Sequence, residues 1–286
     1  MTDAGVSLRR RIGRSRTFLT SAGVVVFTTA LLTALAVRFS SGHLAYLLDD
    51  AGIHLSIVKQ LVHHGTWGVT SGHFESSSSS PGWDLLLAGF TFVFPFMWNV
   101  WPLVLNLAAG LWLAWLFFRN QELVPQNRPD RLAVLFILVL SVFVLFTPAL
   151  ALTGMEHTLH AALVVQALVL LQRLQDRDDT TLRAVAPFFL VLFLGTLVRY
   201  ETLFVAIGCA FAIAVVRLGG VVRRRAGLPS TAKIVTGTLV ASALPVVLLG
   251  GVNKLYGQGF FPNSIVTPRT FSKNRRGGRS RATISR

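Results

Sequence analysis

The stretch Leu47-Leu48-Asp49-Asp50-Ala51-Gly52-Ile53-His54 places two adjacent carboxylates a few residues after the first long apolar segment of the chain. Ionised carboxylates are costly to hold in hydrocarbon, so this position predicts a site at a membrane surface. The apolar segment before it runs from Thr17 to about Val37, close to the roughly 20 residues that a helix needs to cross a bilayer. Arginines precede this segment, and no convincing small-residue cleavage site comes before Arg38. We therefore expect an uncleaved first span that starts in the cytoplasm.

The composition indicates an integral membrane protein. Of the 286 residues, 52% are hydrophobic and 14% are charged, and the mean hydropathy is +0.60. One soluble core would not bury so much apolar surface. The formal net charge of +15 comes from short basic clusters between apolar runs, which is typical of cytoplasmic loops, and no nucleic-acid partner is expected. The single cysteine, Cys209, lies in an apolar run and is expected to pack in a core.

Further apolar runs follow the first span and set the expected topology. They lie at about 82–97, 99–118, 131–150, 157–172, 184–198, 202–217 and 231–252. Basic loops mark the cytoplasmic connections, so the first outer loop, 40–81, should share the outer face with Lys254 to Ser264. An odd number of crossings must then lie between Pro81 and Arg119, and we expect 82–97 to dip into the outer leaflet without crossing. The predicted class is all-α, with about 7–9 transmembrane or re-entrant helices.

The first outer loop contains a predicted amphipathic helix that lies on the membrane. Its apolar residues recur at helical spacing with polar residues between them: Ile53, Ile57, Val58, Leu61 and Val62 against His54, Lys59, Gln60 and His63. Asp50 is expected to cap its N-terminus. The serines at 76–80 predict a flexible or turn-rich return to the bilayer.

Polar groups from four segments converge on the predicted outer face. They are Asp49 with Asp50, Glu156, Arg199 with Glu201, and the segment from Lys254 to Ser264. Each has an ordinary structural interpretation when taken alone: a solvated turn, a helix cap or a simple ion pair. Their joint occurrence on one face, together with all seven histidines in or beside its segments, favours a site.

The motifs resemble those of the multi-spanning glycosyltransferases of the GT-C fold class, which use polyprenyl-phosphate sugars. The matching segments are Asp49–His54, Gly65–Gly68, Ser78–Leu87, Gly154–Glu156 and Phe261–Ser264. Relatives in this class include lipid A aminoarabinose transferases, protein mannosyltransferases and mycobacterial arabinofuranosyltransferases. The resemblance covers about residues 17–265. Two features depart from it: Gly52 replaces the usual aromatic residue, and Gly82-Trp83-Asp84 replaces a more apolar sequence.

The resemblance implies an inverting transfer of a sugar from a polyprenyl-phosphate donor to an acceptor hydroxyl at the outer face of the cell membrane. It implies that Asp49 or Asp50 is the catalytic base, since a hydroxyl needs a base to take its proton. The expected substrate-binding residues are Glu156, Arg199, Glu201, Lys254 and His54. The expected partners are the lipid-linked donor, a lipid, glycan or protein acceptor and membrane lipids. Whether the protein uses a divalent cation as a cofactor stays open at this point.

The expected organisation is a basic cytoplasmic N-terminus (1–16), a GT-C-like transmembrane module (17–265) and a basic disordered tail (266–286). Because members of the class continue with further spans, the tail suggests a C-terminal truncation or a frameshift. Two alternatives to the transferase stay open from the sequence. One is a membrane transporter, and the other is an inactive fragment or non-catalytic membrane subunit.

Overall fold

The computed structural model describes residues 3–120, 146–177, 180–222 and 228–262. Its helices are α1 (Asp3–Phe39), α2 (Asp50–His64), α3 (Pro81–Val93), α4 (Trp101–Arg119), α5 (146–153), α6 (His157–Arg177), α7 (Leu182–Val198), α8 (Thr202–Val222) and α9 (Leu228–Leu255). A short 3₁₀ turn, Pro95–Met97, lies between α3 and α4. These described ranges contain no strand, so the predicted all-α class is confirmed for them.

Within the described residues, five helices are long and apolar enough to cross a membrane. The candidate spans are Phe18–Phe39, Trp101–Arg119, His157–Gln175, Thr202–Gly219 and Pro229–Leu255. The 17-residue α7 is at the lower length limit for a span. Large apolar side chains on these helices are exposed, among them Phe27, Phe204 and Phe211. Lipid covers such surfaces in a membrane, and the protein is therefore membrane-embedded.

The predicted runs agree with single helices where both can be compared. The runs at 99–118, 157–172, 184–198, 202–217 and 231–252 correspond to α4, α6, α7, α8 and α9. Most of the run at 131–150, the Asn263-Ser264 part of the last motif and the predicted tail at 266–286 lie outside the described residues.

The helix α3 is too short to cross a bilayer. Its 13 residues rise about 20 Å at the helical pitch, against about 30 Å of hydrocarbon. It ends at Val93, where the chain enters the 3₁₀ turn that starts at Pro95. A helix of this length followed by a turn is compatible with the expected segment that dips into one leaflet without crossing.

Two clusters of buried apolar residues hold the helices together. One joins α2 and α3 around Trp83, Leu87 and Val58. The other lies between α6, α7, α8 and α9 and is built around Phe188. Cys209 is buried in this second cluster, in agreement with its expected packing role.

The helix predicted in the first loop is present, but its buried face differs from the prediction. His54 is 5% exposed, whereas Ile53 is 39% exposed. The assignment of His54 to the polar, solvated face was therefore wrong. The reason is that α2 packs against a helix carrying a buried carboxylate, Asp84, which gives the imidazole a partner. Asp50 is the first helical residue rather than the cap, and Asp49 at the capping position makes no side-chain cap hydrogen bond.

The serines before α3 are not a loose return to the bilayer. Ser76, Ser78 and Ser80 are all buried, with more exposed residues between them. The Ser80 backbone N–H donates to Ser78 Oγ at 3.1 Å. The flexible or turn-rich segment expected at 76–80 is thus a packed one, because alternate side chains face the protein interior.

Close packing at Gly82 gives a stability prediction. A Cβ at this position would lie 2.8 Å from the backbone carbonyl atoms of Leu197, whereas one at Gly89 on the same helix would meet nothing within 4 Å. We expect Gly82→Ala to destabilise the protein by about 1–3 kcal/mol, because a backbone carbonyl cannot move aside as a flexible side chain does. Gly89→Ala should be neutral or stabilising by up to about 1 kcal/mol. Thermal unfolding in detergent measures both, and equal effects would contradict the packing.

Candidate functional site

The turn between α5 and α6, residues 154–156, and the end of α5 lie directly against the first loop. The Leu47 N–H donates to the Leu152 carbonyl at 3.0 Å, and Trp83 Nε1 donates to the Gly154 carbonyl at 3.3 Å. Gly154 has φ +71°, and a Cβ there would lie 2.8 Å from the Tyr46 ring and 2.9 Å from Ala51 Cβ. Only glycine satisfies both the backbone angle and the lack of space. The turn that it allows delivers Glu156 to the interior.

Glu156 is 1% exposed and immediately precedes α6. Its Oε1 accepts hydrogen bonds from Ser80 Oγ at 2.8 Å and from Arg199 Nη1 at 3.1 Å. Its Oε2 lies 3.7 Å from His54 Nε2 and has no hydrogen bond within the described part of the chain. Glu156 does occupy the cap position of α6, since its backbone carbonyl accepts from the His160 N–H. The carboxylate itself is used in contacts between loops.

His54 joins Glu156 to a second buried carboxylate. Its Nδ1 is 2.7 Å from Asp84 Oδ1, and Asp84 is 0% exposed. Asp84 Oδ2 has no hydrogen-bond partner among the described residues. Asp84, His54 and Glu156 form what we call the buried cluster, with one imidazole between two carboxyl groups. Such groups are held away from water only when they are paired.

Two members of the buried cluster, His54 and Asp84, hold their protons more tightly than the same groups do in water. Burial alone lowers the pKa of His54, but the hydrogen bond and charge of Asp84 and the charges of Glu156 and Asp50 outweigh it, and the pKa is raised. Burial also raises the pKa of Asp84, against the opposing hydrogen bond from His54. Both directions favour the protonated form, so the pair retains protons to higher pH than separate groups would.

Arg199 ties the cluster to the turn between α7 and α8. Besides Glu156, its guanidinium contacts His157 and both carboxylate oxygens of Glu201, with Nε donating to Oε2 at 3.2 Å. The hydrogen bond with Glu201 raises the pKa of Arg199 and lowers the pKa of Glu201. Arg199 is therefore balanced by two carboxylates, one buried and one exposed. Arg199 thus joins the turn before α6 to the turn between α7 and α8. Its positive charge is already paired, so little of it would be left to pair with a phosphate.

The other predicted site residues lie on the surface. Asp49 and Asp50 are exposed at the start of α2 and make no side-chain hydrogen bond within the described ranges. Asp50 lies one helical turn before His54 and contributes negative charge to it. Lys254 is exposed in the last turn of α9. The structure thus brings Glu156, Arg199, Glu201 and His54 into contact and leaves both aspartates and Lys254 outside this network.

A cavity of about 300 Å³ adjoins the network. It is lined by Leu61, Gly65, Trp67, Phe74, Ser76, Ser78, Pro81, Leu85, Tyr200, Leu249, Val252, Asn253, Tyr256 and Pro262. These lining residues, which all belong to the described part of the chain, supply aromatic rings, hydroxyls and one amide but no charged side chain. Phe74 and Tyr256 stack at 4.1 Å between ring centroids. Burial raises the pKa of Tyr200 to about 12, so its phenol remains a hydrogen-bond donor near neutral pH.

Two members of this arrangement were not among the predicted site residues: Asp84 and Ser80. Asp84 had a signal in the sequence, because it is the one carboxylate in the apolar stretch Pro81–Val93. An acidic residue in such a helix must find a partner or line a polar cavity. Ser80 had no such signal, because its role depends on the position of Glu156.

A divalent cation would need a cluster of carboxylate or imidazole ligands. The described residues contain no group of three or more His, Cys, Asp or Glu side chains arranged to hold one. The described side chains therefore do not fit a metal site of this kind.

Comparisons of the chain with protein-family models, with curated proteins and with solved structures find no match. The function is therefore inferred from the geometry of the site and from the motifs.

The two carboxylates on Arg199 give a matched stability prediction. Glu156→Gln removes a buried charge that accepts from Ser80 and Arg199, and we expect a loss of about 2–3 kcal/mol. Glu201→Gln removes a carboxylate whose side chain is 53% exposed, and should cost less than about 1 kcal/mol. Thermal or denaturant unfolding in detergent distinguishes the two. Equal losses would mean that the buried contact adds nothing beyond a surface ion pair.

The raised pKa of His54 gives a pH prediction. Its contribution to stability is fully present below the unfolded histidine pKa of about 6.5 and is lost as pH rises through the higher folded value. The raised pKa of Asp84 acts with the same sign. We expect the unfolding temperature to fall above about pH 6.5 and this fall to be flattened in His54→Gln. His63→Gln, an exposed histidine on the same helix, should keep the wild-type slope. An unchanged slope in His54→Gln would contradict the shift.

Proposed function

We propose that the protein is a membrane glycosyltransferase of the GT-C class, with about 7–9 spanning or re-entrant helices and a cytoplasmic N-terminus. It would transfer a sugar from a polyprenyl-phosphate donor to an acceptor hydroxyl at the outer face of the cell membrane. One observation carries the proposal: an uncharged, aromatic and hydroxyl-lined cavity adjoins a braced network of buried charges at the ends of the helices. The order of the motifs supports the same activity.

The reaction needs a base and a leaving group. The acceptor oxygen attacks the anomeric carbon of the donor sugar from the face opposite the phosphate. The bond between that carbon and the phosphate oxygen breaks, and polyprenyl phosphate leaves with the electron pair. The hydroxyl proton passes to Asp49 or Asp50. Both carboxylates are exposed, so they are accessible to an acceptor arriving from water, and such a base contributes about 10²–10⁴-fold.

The buried cluster would position this base. His54 is anchored on both sides, to Asp84 and towards Glu156, and lies one turn after Asp50 on the same helix. The start of α2 is thereby fixed relative to the turn before α6 and the turn between α7 and α8. A catalytic group must be held within fractions of an ångström of its productive position, and buried paired charges provide that rigidity.

Charge neutralisation of the departing phosphate requires a cation that is not already paired. Arg199 is held by Glu156 and Glu201. Lys254 is exposed, has no ion pair with the described residues and follows Asn253, which lines the cavity. We therefore assign the binding of the phosphate to Lys254. Arg199 has the structural role of holding the two turns together.

The cavity suits a sugar ring bound apart from the reacting carbon, because its lining residue Leu61 lies about 16 Å along α2 from Asp50. Aromatic faces stack on the apolar side of a pyranose or furanose, and hydroxyl or amide groups bind its polar edge. Trp67, the Phe74–Tyr256 stack, Ser76 and Tyr200 provide both kinds of group. Its volume lies at the small end of the range for ligand sites, about 300–1,000 Å³, as expected for a single sugar. A transporter is less well supported, since transporters place their sites near the bilayer midplane rather than in end loops.

The proposed base can be tested with conservative variants. We expect Asp49→Asn or Asp50→Asn to reduce sugar transfer by about 10²–10⁴-fold, because an amide cannot accept the proton. Glu75→Gln, at a carboxylate of the same loop that accepts a hydrogen bond from the Val69 N–H, is the matched control and should keep the rate. The measurement is transfer from radiolabelled polyprenyl-phosphate sugars by protein reconstituted in liposomes. Full rates in both variants would exclude the pair as the base.

The donor can be sought without knowledge of the acceptor. Mass spectrometry of membrane lipids should show one polyprenyl-phosphate sugar accumulating when the gene is deleted. Complementation with the wild-type chain should reverse the accumulation. An unchanged lipid profile would favour a non-catalytic subunit.

A further inference from the structure

A second cavity lies on the other side of α2. It has a volume of about 110 Å³ and is lined by Val58, Lys59, His63, Thr91, Pro95 and Trp98. We call it the Lys59 pocket. None of these residues lines the larger cavity or belongs to the buried cluster. Its chemistry is also different, because the larger cavity has no charged lining and this one has a lysine.

The Lys59 pocket presents a positively charged hydrogen-bond donor to a polar ligand. Lys59 and His63 are four residues apart, so they share one face of α2. Neither forms an ion pair with the described carboxylates, and both are exposed. An ammonium group can only donate, and an imidazole has at least one N–H donor in either protonation state. A ligand bound between them would accept hydrogen bonds, and negative charge on it would strengthen its pairing with Lys59.

Thr91 supplies an independent observation. The residue is 3% exposed, and its hydroxyl has no hydrogen-bond partner among the described residues. A buried hydroxyl without a partner costs free energy. An oxyanion in the pocket would accept from it. A phosphate matches the small volume, the lysine and the hydroxyl together.

The surroundings of the pocket are those of a membrane interface. The chain immediately after Thr91 exposes large apolar side chains: Phe92, Val93, Phe94, Phe96 and Trp98. Phe96 is 79% exposed, which is unfavourable against water but favourable against acyl chains. Aromatic residues collect at the level of lipid headgroups. The phosphate expected at this level is that of a phospholipid.

We propose that the Lys59 pocket binds the phosphate of an anionic membrane phospholipid, whose acyl chains cover Phe92, Phe94 and Phe96. Lys59 pairs with the phosphate, and Thr91 donates to it. An anionic headgroup is favoured over a zwitterionic one, because no described residue that lines the pocket is a carboxylate that could hold a headgroup ammonium. This inference is independent of the proposed transferase activity, since the pocket shares no residue with that site.

Native mass spectrometry of the full chain tests the proposal, with phosphatidylglycerol and phosphatidylcholine as the two probes. We expect phosphatidylglycerol to bind at least about fivefold more tightly. Lys59→Gln should weaken its binding about fivefold, as expected for one basic residue facing anionic lipid. Lys233→Gln on α9, an exposed lysine outside the pocket, is the matched control and should bind as the wild type does.

Thr91→Val separates binding from folding. Because the hydroxyl has no partner among the described residues, we expect this variant to keep the wild-type unfolding temperature in lipid-free detergent and to lose severalfold in affinity for phosphatidylglycerol. Equal binding of the two phospholipids, or equal loss in Lys233→Gln, would overturn the proposal. Inorganic phosphate that displaces the lipid at millimolar concentration would show a site for soluble phosphate instead. Tighter, Lys59-dependent binding of polyprenyl phosphate would show a donor site, and would also overturn it.

Discussion

The hydrogen bond between His54 and Asp84, with Glu156 beyond the other ring nitrogen, is the constraint on which the loop end of this protein depends. Three ionisable groups are held almost completely out of water, and each is costly to bury alone. They come from α2, α3 and the turn before α6, so these elements must meet in one register. Gly82 and Gly154 make this possible, because each lies where a side chain would collide with a neighbouring element.

Arg199 extends the same constraint to the turn after α7. It contacts the buried Glu156 and the exposed Glu201, so the network runs from the interior to the surface. A rigid network of this kind is suited to supporting groups that themselves remain accessible. Asp49, Asp50 and Lys254 are such groups, since they are exposed and adjacent in sequence to braced or cavity-lining residues. Buried supporting groups beside exposed reactive groups are what the proposed transferase, acting on a large lipid-linked substrate, would need. The two cavities on either side of α2 differ in charge. The described lining of the larger one is uncharged, and that of the smaller one contains Lys59.

Much of the helical framework followed from hydropathy. The apolar runs that became α4, α6, α7, α8 and α9 were predictable because a bilayer demands about 20 apolar residues whatever the partners of the helix. Local periodicity was less reliable in the first loop. It placed His54 with the polar residues, because a scale that treats histidine as hydrophilic cannot include a buried carboxylate 30 residues away. The serines at 76–80 were misjudged for a similar reason, as their burial depends on the loops around them.

The sequence by itself indicated a helical membrane protein and predicted that Glu156, Arg199 and Glu201 lie between apolar runs on the same face as the Asp49-Asp50 pair. Composition and spacing are sufficient for this, because they reflect the bilayer and the helix repeat. Only the tertiary structure decided which of these groups touch. It recruited Asp84 and Ser80, occupied Arg199 with two carboxylates and left the aspartate pair on the surface. The physical reason is that ion pairing and desolvation depend on distances of a few ångströms between distant segments, and these are set by packing.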